Sequence, residues 1–349
     1  MKTLLRLLLK SQHQRNRSGP AQTDKGMTLV ELLVGAIMAF LVITPMLAFV
    51  VDMLNTDRRE QVKSNTEQDL QAAVDFIAQD LSQAIYIYDQ AGITAINPTT
   101  KLPPPPTNTT GTPILVFWKR QQIKNAVPIN STVSVKKPSA CPANGNECND
   151  TYVLSLVAYY QITDNTPNST WCQPSGGTCP TRIARYEIRE PVRNPYTIDA
   201  KKPYYDEADL IDSQQGSKAF NKDFDFSKPT ENVTTGTDFP TNPEVLVNYI
   251  DHTTPGPTLS PTECQTALGK PTDPKDTTKF LDDTTLRVTD LAGSNSFYAC
   301  VDTARNIARV TIRGNSLRRL QADAKYNPKN PAYFPTATVQ VQGLGGLGQ

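Results

Sequence analysis

The sequence predicts an α+β fold, one long N-terminal helix followed by a head of antiparallel strands. Three observations carry that prediction. An apolar run from Met27 to Val51 contains a single ionisable residue, Glu31. A helical stripe of apolar residues continues beyond it to about residue 88, and after that apolar and polar residues alternate in short segments.

At about 1.5 Å per residue the run makes a helix of roughly 37 Å, enough to cross a hydrocarbon layer of about 30 Å. A carboxylate in such a segment is costly and calls for a named partner. A cut after Gly26 creates one, the new ammonium of Met27. The plainer reading is a glutamate at the margin of a membrane helix whose carboxylate snorkels to the interface. A secretory signal peptide would have a shorter apolar core and an Ala-x-Ala-like site, whereas the chain after Val51 reads Asp52-Met53-Leu54-Asn55. Before the run stand Lys2, Arg6, Lys10, Arg15, Arg17 and Lys25 against Asp24 alone. That asymmetry places residues 1–26 in the cytoplasm and everything after Val51 outside, as a single-pass membrane protein; the family resemblance given below implies the inner membrane and a periplasmic head. Loss of those six basic residues and one acidic residue takes the formal charge from +1 to −4. Such a head has no basic footprint for nucleic acid.

Past the solvated turn Asp57-Arg58-Arg59-Glu60, apolar residues recur at Val62, Leu70, Val74, Ile77, Leu81 and Ile85, one stripe of an amphipathic helix over 52–88. Its other faces carry Gln68, Asp69, Asp75, Gln79 and Asp80. After Asp89, Asn97-Pro98, Pro103 to Pro106 and Gly111-Thr112-Pro113 read as an extended loop. Strands are expected at Ile114–Trp118, Tyr152–Ile162, Arg182–Arg189, Phe297–Val301, Ile307–Arg313 and Thr336–Val341, half-buried in a sheet with one face on the helix. The head spans 89–342. Within it, about 191–285 reads as a long excursion with one strand-like run, Val245 to Ile250. Residues 343–349, rich in glycine, are expected to be flexible.

Six cysteines, all beyond the apolar run, suit an oxidising compartment. Cys141 with Cys148 and Cys172 with Cys179 share one spacing, which leaves Cys264 with Cys300; sequence alone permits fifteen connectivities. Zinc ligands come as Cys-x₂₋₄-Cys with histidine, a spacing not found here. The acidic residues Asp206, Glu207, Asp209, Asp223 and Asp225 lack the EF-hand spacing and read as solvated surface. His252, the one histidine after the apolar run, stands beside turn residues and reads as exposed. No Gly-x-Ser-x-Gly, HExxH or phosphate loop occurs. The reading is therefore not an enzyme, with no cofactor and no metal.

The run Gly26-Met27-Thr28-Leu29-Val30-Glu31-Leu32-Leu33-Val34, after a basic leader and before an apolar helix, resembles the type IV prepilins and pseudopilins. Membership implies that a prepilin peptidase cuts after Gly26 and N-methylates Met27. That first mature position is most often Phe in the family, so Met27 departs from the pattern. Glu31, the fifth mature residue, would then align an incoming subunit by meeting a neighbour's free amine. The small residues Gly35, Ala36 and Ala39 permit close helix approach. Pro45, somewhat early for the family's proline, would let the helix bend or locally melt during assembly. Leu70 to Ala84 is similar to minor pseudopilins of the J or PilW class, and the long Pro-, Thr- and Asn-rich head to the hormogonium polysaccharide secretion pseudopilins of the HpsB/HpsC type. The resemblance implies a type IV pilin-like structural subunit, in contact with other pilin subunits, an inner-membrane assembly platform and the lipid bilayer. Its bulky, disulfide-tied head suits a tip or initiating position. The alternatives are a minor type IV pilin in motility, adhesion or DNA uptake, a type II secretion pseudopilin, or a tethered periplasmic domain that never polymerises.

Overall fold

A computed structural model describes residues 28–96, 101–129, 148–198, 201, 203–205, 215–234, 236, 238–290 and 293–345. The chain divides into two compact units, residues 1–57 and 58–349. Helix α1 (Leu29–Ser82) is continuous over 54 residues and contributes to both. The architecture is α+β, as the sequence predicts.

Within the second unit, Leu70, Val74, Ile77 and Leu81 are buried where the stripe places them, joined by Thr66 and Ala73. The helix does not reach residue 88. It ends at Ser82, and strand β1 (Ala84–Ile87) follows almost at once. Ile85-Tyr86-Ile87 is a β-branched and aromatic run, and pairing it with a neighbouring strand satisfies the backbone groups that another helical turn would have used. Helix α2 (Gln90–Ile96) then forms where the sequence suggested extended loop. Asp89 opens it, its carboxylate accepting the Gly92 amide hydrogen at 2.7 Å, and Ile93 and Ile96 go into the core. Seven residues are too few for a helical period to show in a sequence.

The expected strands are all present. Strands β2 (Thr109–Pro128), β3 (Cys148–Asp164), β4 (Thr181–Arg189) and β5 (Glu244–Ile250) join β1 in a five-stranded antiparallel sheet, in chain order. Helix α3 (Glu263–Ala267), the hairpin β6 (Thr272–Asp273) and β7 (Asp276–Phe280), and helix α4 (Asp283–Leu286) come next. A four-stranded sheet follows, ordered β11-β10-β9-β8, from β8 (Arg287–Thr289), β9 (Phe297–Asp302), β10 (Ile307–Arg313) and β11 (Thr336–Gln342). Against the second of these lies α1: a Cβ at Gly314 would stand 2.7 Å from the Thr66 methyl and 3.1 Å from Leu70. Helix and sheet meet there at a distance that only glycine allows.

One expectation about the larger sheet fails. Its central strands are covered on both faces, and β2 is buried without a break from Ile114 to Lys119. Successive side chains point to opposite faces. Phe117 and Lys119 share the helix side, with Phe117 stacked on Tyr159 and Lys119 bound to α1. Trp118 faces the other way, into Phe224 at 4.2 Å and Phe220 at 6.2 Å between ring centroids. Those phenylalanines belong to the long excursion, which folds back as the cover of the second face. Its chain is further pinned by Tyr88, whose hydroxyl donates to the Pro229 carbonyl at 2.7 Å and accepts from the Trp118 indole at 2.9 Å. The proline run lies on the same side. Proline has a carbonyl but no amide hydrogen, so it can only accept. Tyr160 and Tyr186 supply the donors, to Pro103 at 2.9 Å and Pro104 at 3.1 Å. Of the glycine-rich end, residues 346–349 lie outside the described residues. The Gly343 and Leu344 amides donate to the carbonyls of Asn306 and Ala84 at 2.9 and 2.8 Å.

Asp80, placed by the sequence on a face away from the apolar stripe, is the buried polar centre of the helix–sheet contact. Its carboxylate accepts from Lys119 Nζ at 2.9 Å, from the Tyr159 hydroxyl at 2.7 Å and from Arg185 Nε at 2.7 Å. These donors come from β2, β3 and β4. Glu187 completes the cluster, 2.6 Å from Arg185 and 3.7 Å from Lys119. Burial alone would raise the Asp80 carboxyl, but the Arg185 and Tyr159 hydrogen bonds and the charges of Arg185 and Lys119 together outweigh it and hold the group below its ordinary value. Burial first, and then the Asp80 charge, push the Tyr159 phenol far up. The folded state therefore favours the Asp80 carboxylate, a contribution present above the unfolded value near 3.8 and lost as pH falls through the lower folded value. Asp80→Ala leaves two buried cations short of a partner. Because Glu187 still pairs with both, the expected loss in urea unfolding of the full chain is about 3 kcal/mol, the low end for breaking a buried pair.

Candidate functional site

The candidate site is the exposed N-terminal part of α1. From Leu29 to Leu54 every large apolar side chain is at least 45% exposed, and none of the apolar window is buried. The helix is long and apolar enough to cross a membrane.

Gly26 and Met27, the expected processing positions, lie outside the described residues. Glu31 is exposed and sits in the first turn. Its carboxylate accepts the Thr28 amide hydrogen at 3.4 Å and the Thr28 hydroxyl at 3.3 Å, while the Thr28 hydroxyl accepts the Glu31 amide hydrogen at 3.3 Å. This reciprocal arrangement is a capping box, and the Thr-x-x-Glu spacing that announces it is visible in the sequence. This cap is a further role for Glu31, missed above beside the amine partner and the interfacial carboxylate. The bonds are long, at the weak end of hydrogen-bond geometry. A negative charge here also suits the positive end of the helix dipole. Glu31 thus has a local task in the isolated chain and a carboxylate still open to solvent.

Further along, a Cβ on Gly35 would meet nothing within 4 Å, so this face of the helix is open to close approach. Pro45 lies inside the helix without ending it. The preceding Thr44 hydroxyl donates to the Phe40 carbonyl at 2.8 Å, whereas the carbonyl that Pro45 deprives of an amide donor is that of Leu41.

Two of the expected cysteine pairs are formed, Cys172–Cys179 and Cys264–Cys300. Cys148 is disulfide-bonded, and Cys141, its expected partner, lies outside the described residues. Asp206, Glu207 and Asp209 also lie outside them, and Asp223 and Asp225 are exposed. Among the described residues no cluster of three metal-ligating side chains occurs.

His252 departs from its reading. It is buried, and neither ring nitrogen has a hydrogen-bond partner among the described residues. The turn residues around it fold inward, where Asp251 pairs with Arg313 at 3.0 Å. Burial lowers the His252 imidazole below 6.5; the charges of Arg318 and Lys325 add to this, and those of Asp251 and Asp323 oppose it.

Compared with protein-family models, curated proteins and solved structures, the chain matches none. The functional reading rests on its own residues.

The buried imidazole has a measurable consequence. Below the unfolded value of 6.5 the unfolded chain takes up a proton that folded His252 resists, so stability falls as pH drops from neutral toward about pH 5. His252→Gln is expected to flatten that part of a melting-temperature profile against pH.

Proposed function

We propose that this chain is a pilin-like structural subunit, a minor pseudopilin that is cut after Gly26, N-methylated on Met27 and assembled through α1 into an envelope-spanning filament supporting secretion of polysaccharide. The observation that carries the reading is the run Lys25-Gly26-Met27-Thr28-Leu29-Val30-Glu31 at the mouth of an apolar segment with no other charge up to Val51. Physical chemistry supplies the logic. Such a helix is stable in lipid, but leaving the bilayer for a filament requires neighbouring helices to cover the apolar surface and an opposite charge to meet Glu31. A neighbour's new N-terminal amine meets that charge. Gly35, Ala36 and Ala39 let the backbones approach, where dispersion between closely packed helices replaces contact with lipid. The exposed apolar surface of α1 and its unbroken course support the same reading, as does a disulfide-tied head suited to an oxidising compartment.

The capping box provides a sharp test. Glutamine at the third helical position can cap as glutamate does, but it carries no charge. A Glu31 that only caps its own helix makes Glu31→Gln silent. A Glu31 that pairs with an incoming amine makes the same change abolish filament assembly, scored by crosslinking between subunits, while the protein stays in the membrane. Assembly at native yield by the Glu31→Gln variant would falsify the pairing. Intact-mass analysis of protein taken from membranes is expected to give a chain beginning at a methylated Met27. Retention of residues 1–26 in cells with an active peptidase overturns the class.

A further inference from the structure

One end of the larger sheet holds a cleft of about 520 Å³, within the size range of small-ligand sites. Its lining comes from the start of β2, the end of β3, the start of β4, the loop between β3 and β4, and the approach to β5. On that loop stands Trp171, 38% exposed, whereas the chain's other tryptophan, Trp118, is wholly buried. Among the described residues, Asp164 and Arg182 are the only ionisable ones lining the cleft. They are buried and paired at 2.6 Å, so they bring no net charge to it. The Arg182 guanidinium also lies over the Trp171 ring, 5.3 Å from its centroid. Arg182 is 4% exposed, and its Nε–H finds no acceptor among the described residues. A buried donor without an acceptor is costly.

The loop that carries Trp171 is held from three sides. The Cys172–Cys179 disulfide closes it. Arg318, itself fully buried, donates to the carbonyls of Pro174 at 3.0 Å and Thr178 at 3.2 Å. Asn248 donates to the carbonyl of Trp171 at 3.3 Å. A partly exposed indole on a loop fixed in this way is a pre-organised flat platform, which lowers the ordering cost of binding.

We propose that this cleft binds a neutral saccharide. A pyranose ring presents C–H groups on its faces and hydroxyls around its rim. The indole suits the face, and the amide side chains of Asn108 and Asn242 at the margin suit the hydroxyls, since each amide both donates and accepts. With Arg182 neutralised by Asp164, the cleft has no excess positive charge to select a uronic acid or phosphate. The geometry of the cleft stands on its own; that the bound saccharide is part of an exported polymer rests on the secretion reading above.

The test uses the full chain in a detergent without a sugar headgroup, titrated with maltohexaose, cellohexaose, laminarihexaose and chitohexaose, and with hexagalacturonate as the anionic comparison. Because Trp118 is buried, emission changes report Trp171. At least one neutral oligosaccharide is expected to give a saturable shift, and Trp171→Ala to weaken its binding by about tenfold or more in calorimetry. Should that variant not fold, Trp171→Phe and Asn242→Ala carry the test, and native affinity in both overturns the site. Binding of hexagalacturonate alone, or of no oligosaccharide, overturns it as well. Crosslinking of the Glu31→Gln variant in parallel separates the two ideas. Lost assembly without saccharide binding removes the cleft and leaves the filament, and binding with intact assembly does the reverse.

Discussion

The second unit depends on how one carboxylate, Asp80, is kept charged inside the protein. The apolar stripe of α1 would bind a greasy sheet in several registers, because dispersion and burial are nearly blind to a slide of one helical turn. Asp80 removes that freedom. Its two oxygens receive donors from β2, β3 and β4 at once, from Lys119, Tyr159 and Arg185, and a shifted helix would break all three bonds and leave Lys119 and Arg185 to the weaker cover of Glu187. The polar cluster fixes the register that the apolar contacts then stabilise. A buried pair of this kind adds little net stability over a well-packed apolar patch, so its value lies in specificity.

The other face of the same sheet follows a different rule. It is covered by segments that look irregular in sequence, the proline run and the long excursion. Each supplies what the sheet lacks: carbonyls for Tyr160 and Tyr186, and aromatic rings for Trp118. The proline-rich texture that marks these stretches as non-helical is compatible with a fixed course, because proline restricts the chain before it ever packs. The disulfide and Arg318 treat the Trp171 loop in the same way, anchoring a segment that has no regular structure of its own.

At the opposite end of the chain, Glu31 is subject to two physical demands. The first turn of α1 needs acceptors for its free amide hydrogens, and Thr28 with Glu31 supplies them locally. The filament proposed above adds a second demand, an opposite charge for the one carboxylate of an apolar segment that leaves lipid, and under that proposal the same group caps the lone chain and pairs with an amine after assembly.

The apolar run, the stripe from Leu70 to Leu81, the alternating strands and the Cys172–Cys179 pairing were legible in the amino-acid order, because each arises from a short period or spacing that neighbouring residues impose; Cys264–Cys300, 36 residues apart, followed only as the remaining pair. The Thr28–Glu31 cap was equally local and legible, though overlooked. Tertiary structure alone decided the rest. Ala84 to Ile87 became a strand because a partner strand was present to receive it, and Asp80 and His252 went inside because the surroundings that bury them come from segments distant in the chain. Whether a polar side chain is buried depends on which donors and walls three dimensions bring to it, and no local pattern encodes those partners.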